Sequence, residues 1–205
     1  MNKGMKYGIG LALVGLIGYN SVYLRPLSEV RAAGALGKFD PARYAETFWT
    51  NKLLPTGAER AVELSSLLAQ LKTDKNKAFD AHAHALGIGN IRYFLVKGEG
   101  VVSTVGETDV TVQLTTGATA RLATEYIYSN AARDASGLIQ ITEFSNTADL
   151  NSVAAELNDI IRKRVVPGLR SDAKPGRKIR FVGAVELNRA HLRVGELSVI
   201  PIQVF

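Results

Sequence analysis

At Ile91 the spacing of apolar residues changes from three and four to two, and this switch constrains the fold more than any other feature of the chain. Four runs follow that are rich in β-branched and aromatic residues: "IRYFLVKGEGVVSTV", "DVTVQLTTG", "ATARLATEYIY" and "GLIQITEF". Gly98, Gly100, Gly106, Gly117 and Gly137 break them, and the stretch from Gly106 to Asp109 reads as the clearest hairpin turn. Thr147 then offers a cap for a helix to about Val166, with Leu150, Val153, Ala154, Leu157, Ile160 and Ile161 on its buried face and Pro167-Gly168 as its stop. Two last strands, "KIRFVGAVEL" and "LSVIPIQVF", end the pattern. Several strands, one inserted helix and two final strands predict an α+β domain built on an OB-like β-barrel, with a split α+β sheet as the alternative.

Before Ile91 the period is helical. Asp40 can cap, Pro41 suits a first helical position, and Tyr44, Phe48, Trp49 and Leu53 form an aromatic face. Pro55 is expected to end that helix. Thr56 and Glu59 read as a capping box for a second, with Ala61, Leu64, Leu68 and Leu71 along one stripe. The organisation expected is therefore a leader over residues 1–24, a linker over 25–38, a helical hairpin over 39–87 and the barrel over 88–205.

The leader decides on which side of a membrane the rest works. Lys3 and Lys6 precede an uncharged run from Tyr7 to Leu24, which as a helix is about 27 Å long, barely sufficient to cross a hydrocarbon core. Small residues at the spacing a signal peptidase needs do not follow closely, and the sequence has no cysteine to carry a lipid. An uncleaved single-pass transmembrane anchor in the inner membrane is thus expected over a cleaved peptide or a soluble core helix, with the carboxyl-terminal domain in the periplasm. Gly4, Gly8, Ala12 and Gly15 give this helix a smooth face for packing on another membrane helix, although glycine is common in membrane helices in any case. The absence of cysteine excludes disulfides, thiolate zinc sites and cysteine nucleophiles.

Together "FDPARYAETFWTNKLLP", "LVKGEG", "SNAARDASG", "TEFSNTADLNSVAAELNDII" and "GRKIRFVGAVEL…LSVIPIQVF" resemble the predicted periplasmic lipoproteins called domain of unknown function 2291, from about Ser28 to Phe205. The resemblance implies an OB-related domain outside the cytoplasmic membrane, without an established activity and often encoded beside sugar ABC importers. It also implies that a sugar ABC transporter or its binding protein is a partner. The chain departs from the family in lacking the lipobox cysteine, so a retained helix takes the lipid's place.

Candidate sites are few. Asn130, Arg133 and Asp134 in "SNAARD", with Phe144 and Asn146 in "EFSN", match residues that recur in the family; they either face a ligand or partner, or pin strands together internally, and the internal role is the simpler one. Arg162, Lys163, Arg164, Arg170, Lys174, Arg177, Lys178 and Arg180 form a basic stretch against Asp172 alone. With a net charge of +6 it suits anionic head groups or an acidic partner. An OB-fold nucleic-acid-binding protein is the alternative class, but the stretch has only Phe181 nearby for stacking on bases. Asp80, His82 and His84 lie close in sequence, yet two histidines two apart point to different faces of a helix and no metal is expected. "KGEG" lacks the spacing of a phosphate loop and reads as a bulge or bend between strands, and His191 reads as a surface residue. No nucleophile and base, carboxylate pair or cofactor fingerprint stands out. The expectation is a non-enzymatic, cofactor-free, membrane-anchored accessory or binding protein.

Overall fold

The computed structural model describes residues 39–195 and 197–205, together with Asn2, Gly4, Met5, Tyr7 and Gly8. The chain divides into two units, residues 1–39 and 40–205. In the first, Gly4, Met5, Tyr7 and Gly8 are helical, and no helix among the described residues is long and apolar enough to cross a membrane. The run Tyr7 to Leu24 lies almost wholly outside the described residues, as do Ala12 and Gly15 of the small-residue face.

The second unit begins as expected. The Asp40 carboxylate accepts the Arg43 N–H at 3.0 Å and Pro41 fills the first position of α1 (Pro41–Phe48). Pro55, however, does not stop the helix. A π turn, Trp49–Leu53, carries it into α2 (Leu54–Arg60), and the Leu54 N–H reaches back five residues to the Trp49 carbonyl. The wider turn accommodates a proline that lacks an N–H and would clash with the carbonyl four residues back. Thr56 is consequently inside the helix, donating its hydroxyl to the Lys52 carbonyl at 2.7 Å instead of forming a capping box. The stripe expected to start at Ala61 is interrupted by β1 (Val62–Glu63), so that α3 (Leu64–Thr73) buries Leu64, Leu67, Leu68 and Leu71, and α4 (Lys75–His82) follows behind an Asp74 cap. The helical region is a longer succession of elements than a hairpin.

β2 (Ala83–His84), β3 (Ile91–Val105), β4 (Asp109–Leu114), β5 (Thr119–Ala123), β6 (Lys178–Asn188) and β7 (Ser198–Val204) complete the sheet. The pairing runs β3-β4-β5-β7-β6, and β6 pairs again with β3, so five strands form a closed circuit with a single parallel contact, β5 to β7. Closure is possible because β3 is long: residues 91–101 pair with β6 and residues 100–105 with β4. Gly100 pairs on both sides, and a Cβ there would stand 2.3 Å from the Gln113 carbonyl oxygen. "KGEG" is therefore neither a phosphate loop nor a bulge; it lies within one strand, and the register shift falls between Val102 and Thr104. β1 and β2 occupy the remaining edge of β3, at Val96–Lys97 and Tyr93–Phe94.

Phe94, Val96, Val110, Val112, Leu122, Phe181, Val185 and Val199 form one cluster with Leu64, Leu67, Leu71 and Phe79, so α3 and α4 close the strand interior. Phe79 meets Phe94 edge to face at 5.0 Å. Val182, Ala184, Ile200 and Ile202 are buried on the alternate positions, which is why β6 and β7 read as nearly continuous apolar runs.

After β5 the expected strands fail. "ATARLATEYIY" is extended only to Ala123, and "GLIQITEF" is not a strand: Ile141–Glu143 make a 3₁₀ turn in which the Gln140 N–H donates to Glu143 Oε1 at 2.8 Å. Between them lies α5 (Ala131–Asp134). The long inserted helix is present as α6 (Thr147–Ile160), capped by Asn146 rather than Thr147; the Asn146 side chain accepts the Asp149 N–H at 2.8 Å. It too passes its proline, through a second π turn at Ile161–Val165 and into α7 (Val166–Asp172). α1 packs on α6, and Phe48 of the first and Leu150, Val153 and Leu157 of the second are buried, as are Trp49 and Leu53 of the π turn.

Candidate binding pocket

Ile127 is fully buried and fixes the loop after β5, which leaves its neighbours Tyr126 and Tyr128 exposed at 69% and 74%. Asn130 starts α5, and along α6 the residues Asn151, Ala155, Asn158 and Arg162 recur at three- and four-residue spacing, on one face. Tyr128, Asn130, Asn151, Ala155, Asn158 and Arg162 line a cavity of about 280 Å³. Its wall is rigidly held. Arg162 Nη1 donates to the Ile127 carbonyl at 2.5 Å, Nη2 lies 3.6 Å from Asp159, and the guanidinium stands 5.2 Å from the centroid of the Tyr128 ring. Asn158 is 3% exposed and donates Nδ2–H to the Ser129 carbonyl at 3.0 Å, while its Oδ1 is buried without a hydrogen-bond donor. The Asn130 side chain is hydrogen-bonded to the Tyr93 hydroxyl, whose pKa burial pushes up, so that hydroxyl stays protonated.

Behind the cavity Arg133 and Asp134, each 3% exposed, make a two-pronged ion pair at 2.5 and 3.2 Å. Arg133 also donates to the Leu150 carbonyl and to Asn151 Oδ1, and Asp134 accepts the Leu86 N–H. These two side chains are an internal brace joining α5, α6 and the segment after β2. Phe144 and Asn146 are not in the cavity. Phe144 packs on Tyr44 at 5.1 Å between ring centroids, and Tyr44 donates its hydroxyl to Glu143.

The basic stretch does not converge on one groove. Lys163 pairs with Asp159 at 2.6 Å and Arg164 grips Glu46 with both nitrogens at 2.8 and 2.7 Å. Arg170 donates to Thr124 and the Glu107 carbonyl, Arg177 to the Asp172 carbonyl, and Arg180 lies over the Phe205 ring. Lys174 and Lys178 are exposed on the connection and at the start of β6. Phe181 is 1% exposed in the strand interior, so it cannot stack on a base.

Asp80 binds Arg189 at 2.8 Å and His82 meets Gln70 at 2.9 Å, while His84 sits on β2. No group of three or more His, Asp or Glu side chains converges as a metal site among the described residues. Burial, and secondarily Arg60, lowers the His84 pKa. The unfolded chain therefore takes up this proton first, and the stability contribution is complete above the ordinary histidine value and lost as the pH falls through it. Thermal melts at pH 7.5 and 5.5 should show lower stability at the acid value, and His84→Gln should flatten that slope. The depressed carboxyls of Glu46, held by Arg164, and Asp159, held by Lys163, act only at lower pH.

Asn130, Arg133 and Arg162 were recognisable in the sequence as candidates; Tyr128, Asn151 and Asn158 were not. The one available signal was Asn158, a polar residue on the helix stripe that also holds Ala154 and Ile161.

The fold has a solved counterpart. An OB-fold protein from Thermotoga maritima, whose crystal structure was determined at 1.90 Å, superimposes with a TM-score of 0.73 at 22% identity, covering 82% of this chain and 99% of that one. An OB-fold domain elaborated with helices is thus the class to which the closed strand circuit belongs. A family model described as predicted periplasmic lipoprotein, domain of unknown function 2291, matches residues 12–205, and the chain belongs to that family. No curated protein matches the sequence.

Proposed function

We propose that the protein is a non-enzymatic binding or accessory module at the outer face of the inner membrane, held there by a single-pass helix over the Tyr7 to Leu24 run. The observation that carries this reading is the family match over residues 12–205 to predicted periplasmic lipoproteins in a sequence without a cysteine to lipidate. The pocket supports a binding role: it is built from amides, an aromatic ring and an arginine already engaged with its neighbours, with neither a nucleophile and base nor paired carboxylates. Assistance to a sugar ABC importer, which the resemblance implies, is part of the same proposal, with the small-residue face of the leader as the means of docking. Capture of the tagged full chain from membranes in mild detergent, with identification by mass spectrometry, is expected to recover a transport component. Recovery of the protein alone at native abundance would contradict the accessory role.

A further inference from the structure

We infer that Arg60, His82 and His84 form a binding site for an oxyanion, the phosphate or carboxylate group of a small soluble molecule. The site goes beyond the role proposed above and shares no lining residue with the Tyr128 cavity.

The three side chains come from α2, α4 and β2, and with Leu95 and Ser136 they line a cavity of about 210 Å³. Whole small-molecule sites run from roughly 300 to 1,000 Å³, so this one suits a single charged group. Every ionisable side chain that lines it is a base. Arg60 is anchored through one nitrogen: Nε donates to the Ser136 carbonyl at 3.1 Å, and neither Nη1 nor Nη2 has a hydrogen-bond partner among the described residues. A guanidinium fixed in this way keeps two donors for the paired oxygens of a carboxylate or phosphate. His82 Nε2 lies 2.9 Å from Gln70 Oε1, an oxygen that can only accept, so Nε2 holds its proton and Nδ1 is the nitrogen left to titrate. The His84 ring has no hydrogen-bond partner among the described residues and lies against Gly137, where a Cβ would stand 2.6 Å from Nδ1.

Neighbouring carboxylates do not neutralise these bases. Asp80 is paired with Arg189 and Asp134 with Arg133. Glu63, next to Val62 on β1, lines a different cavity together with Lys97 and Glu99. Glu186 stands on β6, two strands from His84 and beyond Tyr93. Burial and Arg60 both work against a charge on His84, and no counter-charge offsets them. An anion in the cavity supplies that counter-charge. Binding and protonation are therefore linked, each strengthening the other by the same factor.

The test follows the ring C–H signals of the three histidines by NMR between pH 5.5 and 8, on the full chain in a maltoside detergent, with His84→Gln to assign the signal. The probe is sulfate, a dianion throughout that range, against chloride at equal ionic strength. Sulfate should raise the His84 pKa by at least about half a unit, which corresponds to a threefold preference for the protonated ring. His191, outside the cavity, should not move. Arg60 is exposed, so Arg60→Gln should keep the wild-type melting temperature and lose the response. Arg60→Lys, which retains the charge without the fork, should at least halve it and serves in its place if the first variant does not fold. Lys174→Gln removes an exposed cation outside the cavity and should keep the full response. Acetate in place of sulfate tells a carboxylate source from a phosphate source, and a response to either upholds the site. Identical titration in sulfate, acetate and chloride, a response that persists undiminished in the Arg60 variants, or one that His191 shares in full would each overturn the assignment.

Discussion

Replacing Asp134 by Ala should destabilise the protein by about 3–5 kcal/mol, the usual cost of leaving a buried charge without its partner. Arg133 is 3% exposed, and without the carboxylate its guanidinium would keep only the Leu150 carbonyl and Asn151, while the Leu86 N–H would lose its acceptor. For a chain of this length a loss of that size lowers the melting temperature by roughly 6–20 °C. The double variant Arg133→Met with Asp134→Leu should recover a large part of the loss, because exchanging a buried pair for apolar groups of similar volume is often neutral. A single variant within about 1 kcal/mol of wild type would show that the brace does not hold α5 to α6.

The second large effect is expected at Trp49. This is the one tryptophan of the sequence, it is 3% exposed, and it opens the π turn that carries α1 past Pro55. Trp49→Ala should cost about 3–5 kcal/mol through lost burial and the cavity left behind. Trp49→Phe should cost less, since it keeps a ring in the space. The emission spectrum gives an independent check: a buried indole emits at short wavelength, and a wild-type spectrum typical of indole in water would contradict the burial.

The strand pattern from Ile91 was legible because alternation survives wherever one face is buried, and the two last strands because they are short, nearly continuous apolar runs rich in β-branched residues. What misled sequence reasoning were residues whose usual meaning tertiary packing overrides. Pro55 and Pro167 signal helix ends, yet each follows a π turn that takes up its strain, and no propensity distinguishes the two situations. Ile139 and Ile141 alternate like a strand, but Ile139 is buried while Ile141 is 51% exposed at the head of a 3₁₀ turn closed by Glu143. Gly98 and Gly100 suggest a bend, whereas neighbouring groups come too close for a side chain: a Cβ at Gly98 would stand 2.8 Å from the Phe181 ring, and one at Gly100 2.3 Å from the Gln113 carbonyl oxygen. The pocket was half legible. Asn130 lies in a motif marked by the family resemblance and Arg162 in a basic run conspicuous by composition, while Asn151 and Tyr128 become meaningful only when α6 and the loop after β5 are brought side by side.

The central claim is that residues 40–205 form an exported OB-fold module, and its location is the most direct thing to measure. Two fusions at the carboxyl terminus decide it: alkaline phosphatase, which folds to activity only outside the cytoplasmic membrane, and a fluorescent protein that matures only inside it. An active phosphatase and a dark fluorescent fusion, both retained in the membrane fraction, are the predicted result. An inactive phosphatase with a bright fluorescent fusion would contradict the claim and return the basic, OB-fold domain to the cytoplasm.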